Sequence, residues 1–439
     1  MLLETIGCAA AAGLLAYTAI DKSGSASDAA KIQRVAASCG LTVSEGGKLR
    51  TIHLLRRTRH AWGTEYAYRI PIGLSFDDIV KKRQHIEDGL NHKRGLIDLT
   101  IDDLRTLRIG PDILQQLRAL LTGPKQRKEV LLDYDGTLRI RIYRDPMPTL
   151  VPFDEAALAS CRDWRVLIGE SREGRVYHDF DAYPRMVAAG MTRYGKSVFL
   201  KGVVTTLVAW QPTAVRLTLL DLKGGLAFNR FANLRQVATL ATDVTEGLAA
   251  LRSIAGDMKE RKEYLRSRGF EDVVEAGIKY RHFVIVDEGA ELASAGETNQ
   301  ELKKAKIECE NILAEIARIG GGLGYRLIFA TQYPTGDTLP RQVKQNCDAR
   351  ICFRLPTETA SRVVLDEAGA EQLPLIKGRA IYRTDRKHVI QTPYIGNDFI
   401  EKTIRPHLVI RPRKEEAANA PAATEARAGR SYTLVIEEA

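Results

Sequence analysis

The run Gly190-Met191-Thr192-Arg193-Tyr194-Gly195-Lys196-Ser197 has the glycine, lysine and hydroxyl spacing of a phosphate cradle. Two glycines let the backbone turn tightly, so that successive N–H groups point inward at phosphate oxygens. A helix predicted over Val198–Val208 would bring its positive N-terminal end to the same place. Lys196 would place a point charge on the β- and γ-phosphates, and Ser197 would offer a hydroxyl to Mg²⁺. The whole run from Gly190 to Val198 is therefore expected to hold ATP. A second cluster is His282-Phe-Val-Ile-Val-Asp287-Glu288, an apolar strand ending in two carboxylates. Asp287 suits a metal held through its water shell, and Glu288 suits orienting and polarising an attacking water. A third strand, Leu327–Ala330, ends in Thr331 and Gln332; Gln332 could bond both that water and the γ-phosphate. Glu291, three residues past Glu288, reads more readily as a structural or capping residue.

Positioning these groups requires a particular scaffold. Short apolar runs at Met186–Ala189, Arg216–Asp221, His282–Asp287, Tyr325–Thr331, Arg350–Phe353 and Arg379–Tyr382 alternate with helical patterns. The longest such pattern sets Leu302, Cys309, Ile312, Leu313 and Ile316 at helix spacing. Strands alternating with helices predict a mostly parallel sheet covered on both faces, with ligands at the carboxyl ends of its strands. The acidic strand is expected beside the phosphate-loop strand.

The remainder of the 439 residues divides into three parts. Thr5 to Ile20 is uncharged and mostly apolar, and with Met1 to Glu4 approaches the ~20 residues a membrane span needs. Lys22, Lys31 and Arg34 follow it, so a span would leave the bulk of the chain on the cytoplasmic face; a helix docked on a surface is the other reading. Residues 29–150 form a small basic α+β region. Strands are expected at Leu49–Leu55 and Glu65–Ile70, a helix over Ser75–Leu90, and a hairpin of Glu129–Leu132 and Leu138–Tyr143 about Asp135-Gly136. Arg56, Arg57, Arg59 and His60 suit either a solvated turn or contact with nucleic-acid phosphates. A motor domain is expected over 160–405, and the Ala- and Glu-rich residues 411–439 read as a flexible tail. The net charge of +10 suits a polyanionic partner without singling one out. Six scattered cysteines show no zinc or redox spacing and read as small buried residues.

Taken together, the blocks resemble the FtsK/SpoIIIE family of DNA pumps. Val187-Ala-Ala-Gly190 through Ser197, Asp287-Glu288-Gly-Ala-Glu291-Leu292 and Gly324 through Gln332-Tyr-Pro334 follow the family's pattern in order. So do Ala349-Arg350-Ile-Cys-Phe353 and Ser361-Arg362 through Asp366, Gly369, Glu371 and Leu373. The likeness covers about 180 to 380. It implies a RecA-like additional-strand P-loop ATPase domain, ATP with Mg²⁺, self-association as a hexamer, and double-stranded DNA as the polymer moved. It also implies that Arg350 reaches a neighbouring subunit's ATP, with Arg362 a second candidate, and that Asp221 and Lys223 organise the nucleotide site. Lys223 to Arg230, with Gly224-Gly225, is a candidate loop for gripping phosphates.

Departures narrow the expectation. Tyr333 stands where the family usually has arginine, Ser294–Lys306 looks long, and no winged-helix domain follows the motor. The layout looks like that of FtsK-like transfer proteins of Gram-positive conjugative elements. The expectation is thus a membrane-tethered pump for plasmid or element DNA. A coupling protein handing single-stranded DNA and a relaxase onward is an alternative, as are a secretion ATPase of the same family and a nucleotide-dependent anchor.

Overall fold

The computed structural model describes residues 28–91, 116, 128–143 and 145–409. The segment Thr5 to Ile20 and the tail 411–439 lie outside them. Among the described residues, no helix is long and apolar enough to cross a membrane. The chain divides into two compact units. One runs to Pro152 and adds Leu167–His178 and Gln372–Tyr394; the other comprises Phe153–Val166, Asp179–Glu371 and the residues from Ile395 on.

The first unit opens with a helix, Asp28–Ser38, then β1 (Val43–Glu45) and β2 (Lys48–Arg50), an antiparallel pair. Next come β3 (His53–His60), β4 (Gly63–Arg69), two short helices, β5 (Glu129–Tyr134) and β6 (Leu138–Tyr143). These four strands form an antiparallel sheet in the order β3-β4-β6-β5. Alternation in Leu138-Arg-Ile-Arg-Ile142 sends Leu138, Ile140 and Ile142 into a core with Tyr66, Tyr68, Ile32, Ile79 and Ile86. It sends Arg139 and Arg141 to the opposite face, where Arg141 Nε meets Glu65 Oε2 at 3.0 Å.

The expected strand Leu49–Leu55 is broken between β2 and β3. Ile52 turns into the core there, and the Thr51 hydroxyl donates to the Leu41 carbonyl at 2.9 Å. The expected helix Ser75–Leu90 is likewise two helices, Phe76–Lys81 and Arg83–Asn91, the first entered through a Ser75–Asp78 capping box. Arg56, Arg57, Arg59 and His60 lie on β3 itself, an edge strand, rather than in a turn. The unit continues with β7 (Val151–Pro152), β8 (Arg165–Ser171) and β9 (Gly174–Asp179).

The second unit holds β10 (Arg185–Ala189), β11 (Val215–Leu220), β12 (Val237–Ala241), β13 (Arg281–Val286), β14 (Tyr325–Thr331) and β15 (Ala349–Phe353). All pair in parallel, in the order β12-β11-β13-β14-β10-β15. The sheet is mostly apolar and buried, as a layer covered on both faces must be. The acidic strand β13 is not beside the phosphate-loop strand β10: β14 pairs with both and stands between them. Among the described residues the longest helix is Val244–Arg268, 25 residues against 20 for Gln300–Ile319. Its Asp243 N-cap and left-handed Gly269 C-cap define ends that its charged, weakly periodic interior conceals. The chain then returns to the first unit with β16 (Arg379–Arg383), β17 (Lys387–Gln391) and β18 (Pro393–Tyr394). There the order is β16-β17-β8-β9, and β18 pairs with β7. Cys161, Cys309, Cys347 and Cys352 are buried free thiols.

Candidate nucleotide site

β10 delivers the chain to the carboxyl end of the sheet at Gly190. Its N–H donates to the Thr331 carbonyl at 3.3 Å, and the Met191 N–H donates to the Arg354 carbonyl at 3.0 Å. The loop is thus sewn to the ends of both flanking strands before it turns. Gly190 is required by packing, since a Cβ there would lie 2.5 Å from Phe353 Cβ. Gly195 is required by conformation, with φ +116°, and Arg193 also takes a left-handed φ of 72°. The helix Lys196–Trp210 begins directly afterwards. Its first N–H groups therefore sit where the loop curls, the arrangement that binds anions.

Lys196 is only 3% exposed, so its ammonium needs internal partners. It donates to the Asp287 carbonyl and lies 3.4 Å from Asp287 Oδ1 and 3.7 Å from Glu288 Oε2. Asp287 and Glu288 follow β13 at the same end of the sheet, both buried. Gly289 makes this exit possible: the Phe329 ring lies against it, and a Cβ would come within 2.0 Å of that ring. Burial pushes the Asp287 carboxyl above the usual carboxylate range. Lys196 opposes that shift, while Asp221 and Glu288 add to it.

Both oxygens of Glu288 are engaged. Oε1 accepts from the Thr331 hydroxyl at 2.8 Å and from the Gln332 N–H at 2.9 Å. Oε2 accepts from the same N–H at 3.2 Å and pairs with Lys223 Nζ at 3.1 Å. Gln332 in turn accepts, through Oε1, from the Thr192 hydroxyl of the phosphate loop at 2.8 Å. Asp221, past the end of β11, fixes the next loop: its Oδ2 accepts from the N–H groups of Ala227 at 2.6 Å and Phe228 at 2.9 Å.

The structure therefore brings Lys196, Asp287, Glu288, Thr331, Gln332 and Lys223 together, with Thr192 reaching in from the phosphate loop. Arg350 is placed differently. It lies on β15 opposite Val187, earlier along the strand than the loop, and its guanidinium holds the Asp366 carboxylate and the Val364 carbonyl. Arg362 is exposed and pairs with Glu358 one helical turn away. Glu291 sits in a single 3₁₀ turn, its N–H bonded to the Glu288 carbonyl at 3.3 Å. No local spacing pairs Lys223 with Glu288; the sequence signal nearest to it is Asp-x-Lys at a strand end.

The donors fit a divalent cation bound mainly through phosphates and water. Asp287 Oδ1 and Asp221 Oδ1 are buried without a hydrogen bond. Among the described residues, no cluster of three or more His, Cys, Asp or Glu could hold a metal by itself. The two unbonded carboxylate oxygens suit Mg²⁺, which takes one or two protein oxygens and keeps waters and substrate oxygens for the rest.

Comparison with known proteins agrees with this geometry. The model of the FtsK/SpoIIIE family matches residues 164–282, which include the phosphate loop and β11. The matched stretch resembles an FtsK/SpoIIIE-family domain. It is 29% identical over 252 residues to the DNA translocase FtsK of Chlorobaculum tepidum, covering 53% of this chain and 30% of that protein. It is 25% identical over 389 residues to FtsK of Lactococcus lactis, covering 77% of this chain and 49% of that one. With SpoIIIE of Bacillus subtilis it shares 27% over 273 residues, 57% and 33% of the two chains. The chain thus spans from about a third to about half of these relatives. Among solved structures, the pCW3 conjugation coupling protein TcpA, in its monomer form with ATPγS, shares the fold. The TM-score is 0.57 at 19% identity, covering 86% of this chain and 99% of that one. The fold is accordingly that of a P-loop ATPase, with β14 as the additional strand between phosphate loop and acidic pair.

Proposed function

We propose that this protein hydrolyses ATP to move double-stranded DNA, acting as a hexameric ring in transfer of plasmid or conjugative-element DNA. The observation that carries the reading is the convergence of Lys196, Asp287, Glu288 and Gln332 at one end of a parallel sheet, around a loop built to receive phosphate.

In this reading the loop amides from Gly190 to Ser197 and the helix start receive the triphosphate. Lys196 exchanges its internal partners for β- and γ-phosphate oxygens. Bound Mg²⁺, held by Ser197 and Asp287, would neutralise charge on those oxygens. Glu288 orients a water and takes its proton as that water adds to the γ-phosphorus and the bridging oxygen leaves with ADP. Gln332 fixes the water against the γ-phosphate. DNA as the cargo is supported by the translocase relatives and by a net charge of +10, which suits sequence-blind contact with phosphates. A ring would ask Arg350 to leave Asp366 for a neighbour's γ-phosphate. Tethering to the cytoplasmic face of a membrane through Thr5 to Ile20, and docking of a relaxase, complete the proposal.

A second reading, a coupling protein that passes single-stranded DNA, is favoured by the near full-length fold match to TcpA. ATP turnover measured with duplex and with single-stranded DNA separates the two, alongside a mass measurement of the assembly. Duplex-stimulated turnover, lost together with most nucleotide affinity in Lys196→Ala, is expected. ATP binding unchanged in Lys196→Ala would reject the site.

A further inference from the structure

The loop after β11 combines four features. Lys223 is its cationic side chain at the site, partly exposed at 38%, and its ammonium pairs with Glu288 Oε2 at 3.1 Å. Gly224 and Gly225 follow with φ of +81° and +76°, a left-handed turn that glycine makes without strain, closed by the Gly225 N–H donating to the Asp221 carbonyl at 3.1 Å. Leu226 is 83% exposed, so the tip faces solvent. Beyond it the chain is clamped: Asp221 Oδ2 takes the Ala227 and Phe228 N–H groups, and Phe228 and Phe231 are buried. A short exposed tip thus stands between fixed ends, with its lysine turned in on the carboxylate that the proposed hydrolysis needs.

On that carboxylate, the Thr331 hydroxyl, the Gln332 N–H, Lys223 and Lys196 surround both oxygens. A carboxylate with its lone pairs occupied cannot also accept a water's proton. Thr331 and Gln332 belong to the sheet end and Lys196 to the phosphate loop, so Lys223 is the partner that a ligand outside the site can remove.

We infer that Lys223 is a positioning residue that holds Glu288 in a resting arrangement, and that nucleic-acid phosphates contacting the 223–226 tip draw the ammonium outward and free Glu288 for catalysis. The inference rests on the ATP-hydrolysis reading above and adds to it the means by which the polymer is sensed. Because Gln332 also bonds Thr192, the path from tip to phosphate loop is continuous, and coupling must run both ways: nucleotide bound at the loop alters the tip's affinity for the polymer.

Turnover of the full chain is compared for wild type, Lys223→Ala and Lys223→Arg, each with and without duplex DNA at fixed salt. In Lys223→Ala the DNA-free rate rises about fivefold, the scale of one partly exposed ion pair, and the ratio of stimulated to basal rate shrinks toward one. Lys223→Arg restores both values toward wild type. A rate that falls equally with and without DNA, leaving the ratio intact, makes Lys223 a structural or nucleotide-contacting residue and overturns the inference. So does an unchanged basal rate in Lys223→Ala. Hydrogen exchange over 222–226 in wild type and Glu288→Gln supplies a readout independent of turnover. Faster exchange in Glu288→Gln is expected, and no change overturns the pairing. If wild type hydrolyses nothing yet this exchange difference appears, the function proposal fails and the resting contact stands.

Discussion

The two ends of the parallel sheet both bury charge, and they handle it in opposite ways. At the amino end, Asp181 lies between Arg281, at the start of β13, and Arg326, near the start of β14. Arg281 grips both carboxylate oxygens, at 2.9 and 3.1 Å, and Arg326 adds a further bond. Arg281 and Arg326 also donate to backbone carbonyls of Ile278, Tyr280, Gly321 and Tyr325. At the carboxyl end, Asp287 and Asp221 each keep a buried oxygen without a hydrogen bond, and Lys196 relies on partners that phosphate oxygens can replace. Charge whose carboxylate oxygens are saturated serves the fold. Charge left short of partners is poised for a ligand, at some cost to stability.

Four substitutions test that contrast, taken from the largest expected effect to the smallest. Glu288→Gln keeps the shape of the site and removes its base, so turnover should fall by about 10²- to 10³-fold with ATP binding retained. Near-normal hydrolysis would remove Glu288 from the chemistry. Asp181→Asn takes the counter-charge from two buried guanidinium groups and, with Asp181 itself partly exposed, should cost about 2 kcal/mol in denaturant unfolding. ATP affinity of the folded fraction should hardly move, and a selective loss of ATP binding would break the division between the two ends.

Asp287→Asn should do the reverse, raising stability at neutral pH by about 1 kcal/mol while weakening Mg²⁺-dependent turnover. The pH dependences follow from the opposite shifts. Burial raises the Asp287 carboxyl, so its folded value lies above the unfolded one. Ionisation therefore costs stability, and that cost appears as pH climbs from the unfolded value through the folded one. Burial also pushes Asp181 upward, but the hydrogen bonds and charges of Arg281 and Arg326 outweigh it and hold the group low. Its stabilisation is complete above the unfolded value and is lost as pH falls through the folded one. The benefit of Asp287→Asn should accordingly vanish in acid, and so should the penalty of Asp181→Asn; titrating both variants by denaturant melts checks each sign. The smallest effect is expected of Thr192→Val, which removes the bond to Gln332. A loss of about 1 kcal/mol, or roughly fivefold in turnover, corresponds to one neutral hydrogen bond.

Much of the carboxyl end is legible in the chain alone, because backbone cradles and strand-end carboxylates depend on local spacing. Gly190, Gly195, Lys196, Asp287 and Glu288 could be placed by type and distance along the sequence. Partners within the fold are less legible: those of Arg350, Asp366 and Val364, come from a later helix and turn. The amino-end network was not anticipated at all. Asp181, Arg281 and Arg326 are far apart in sequence and belong to no motif, and only the parallel register brings them together. Breaks in the first unit, at Thr51-Ile52 and Lys82, were likewise set by the core that Ile52 enters and by local capping rather than by periodicity.

The order of residues thus determined, by itself, that a phosphate-binding turn, a helix start and an acidic strand end exist, since each is made within a few neighbours. What only the tertiary structure decided was adjacency. The insertion of β14 between β10 and β13 sets Thr331 and Gln332 on Glu288, and the turn after β11 sets Lys223 there as well. Strand order is chosen by how helices cover a sheet, a property of the whole folded layer that no short stretch of chain encodes.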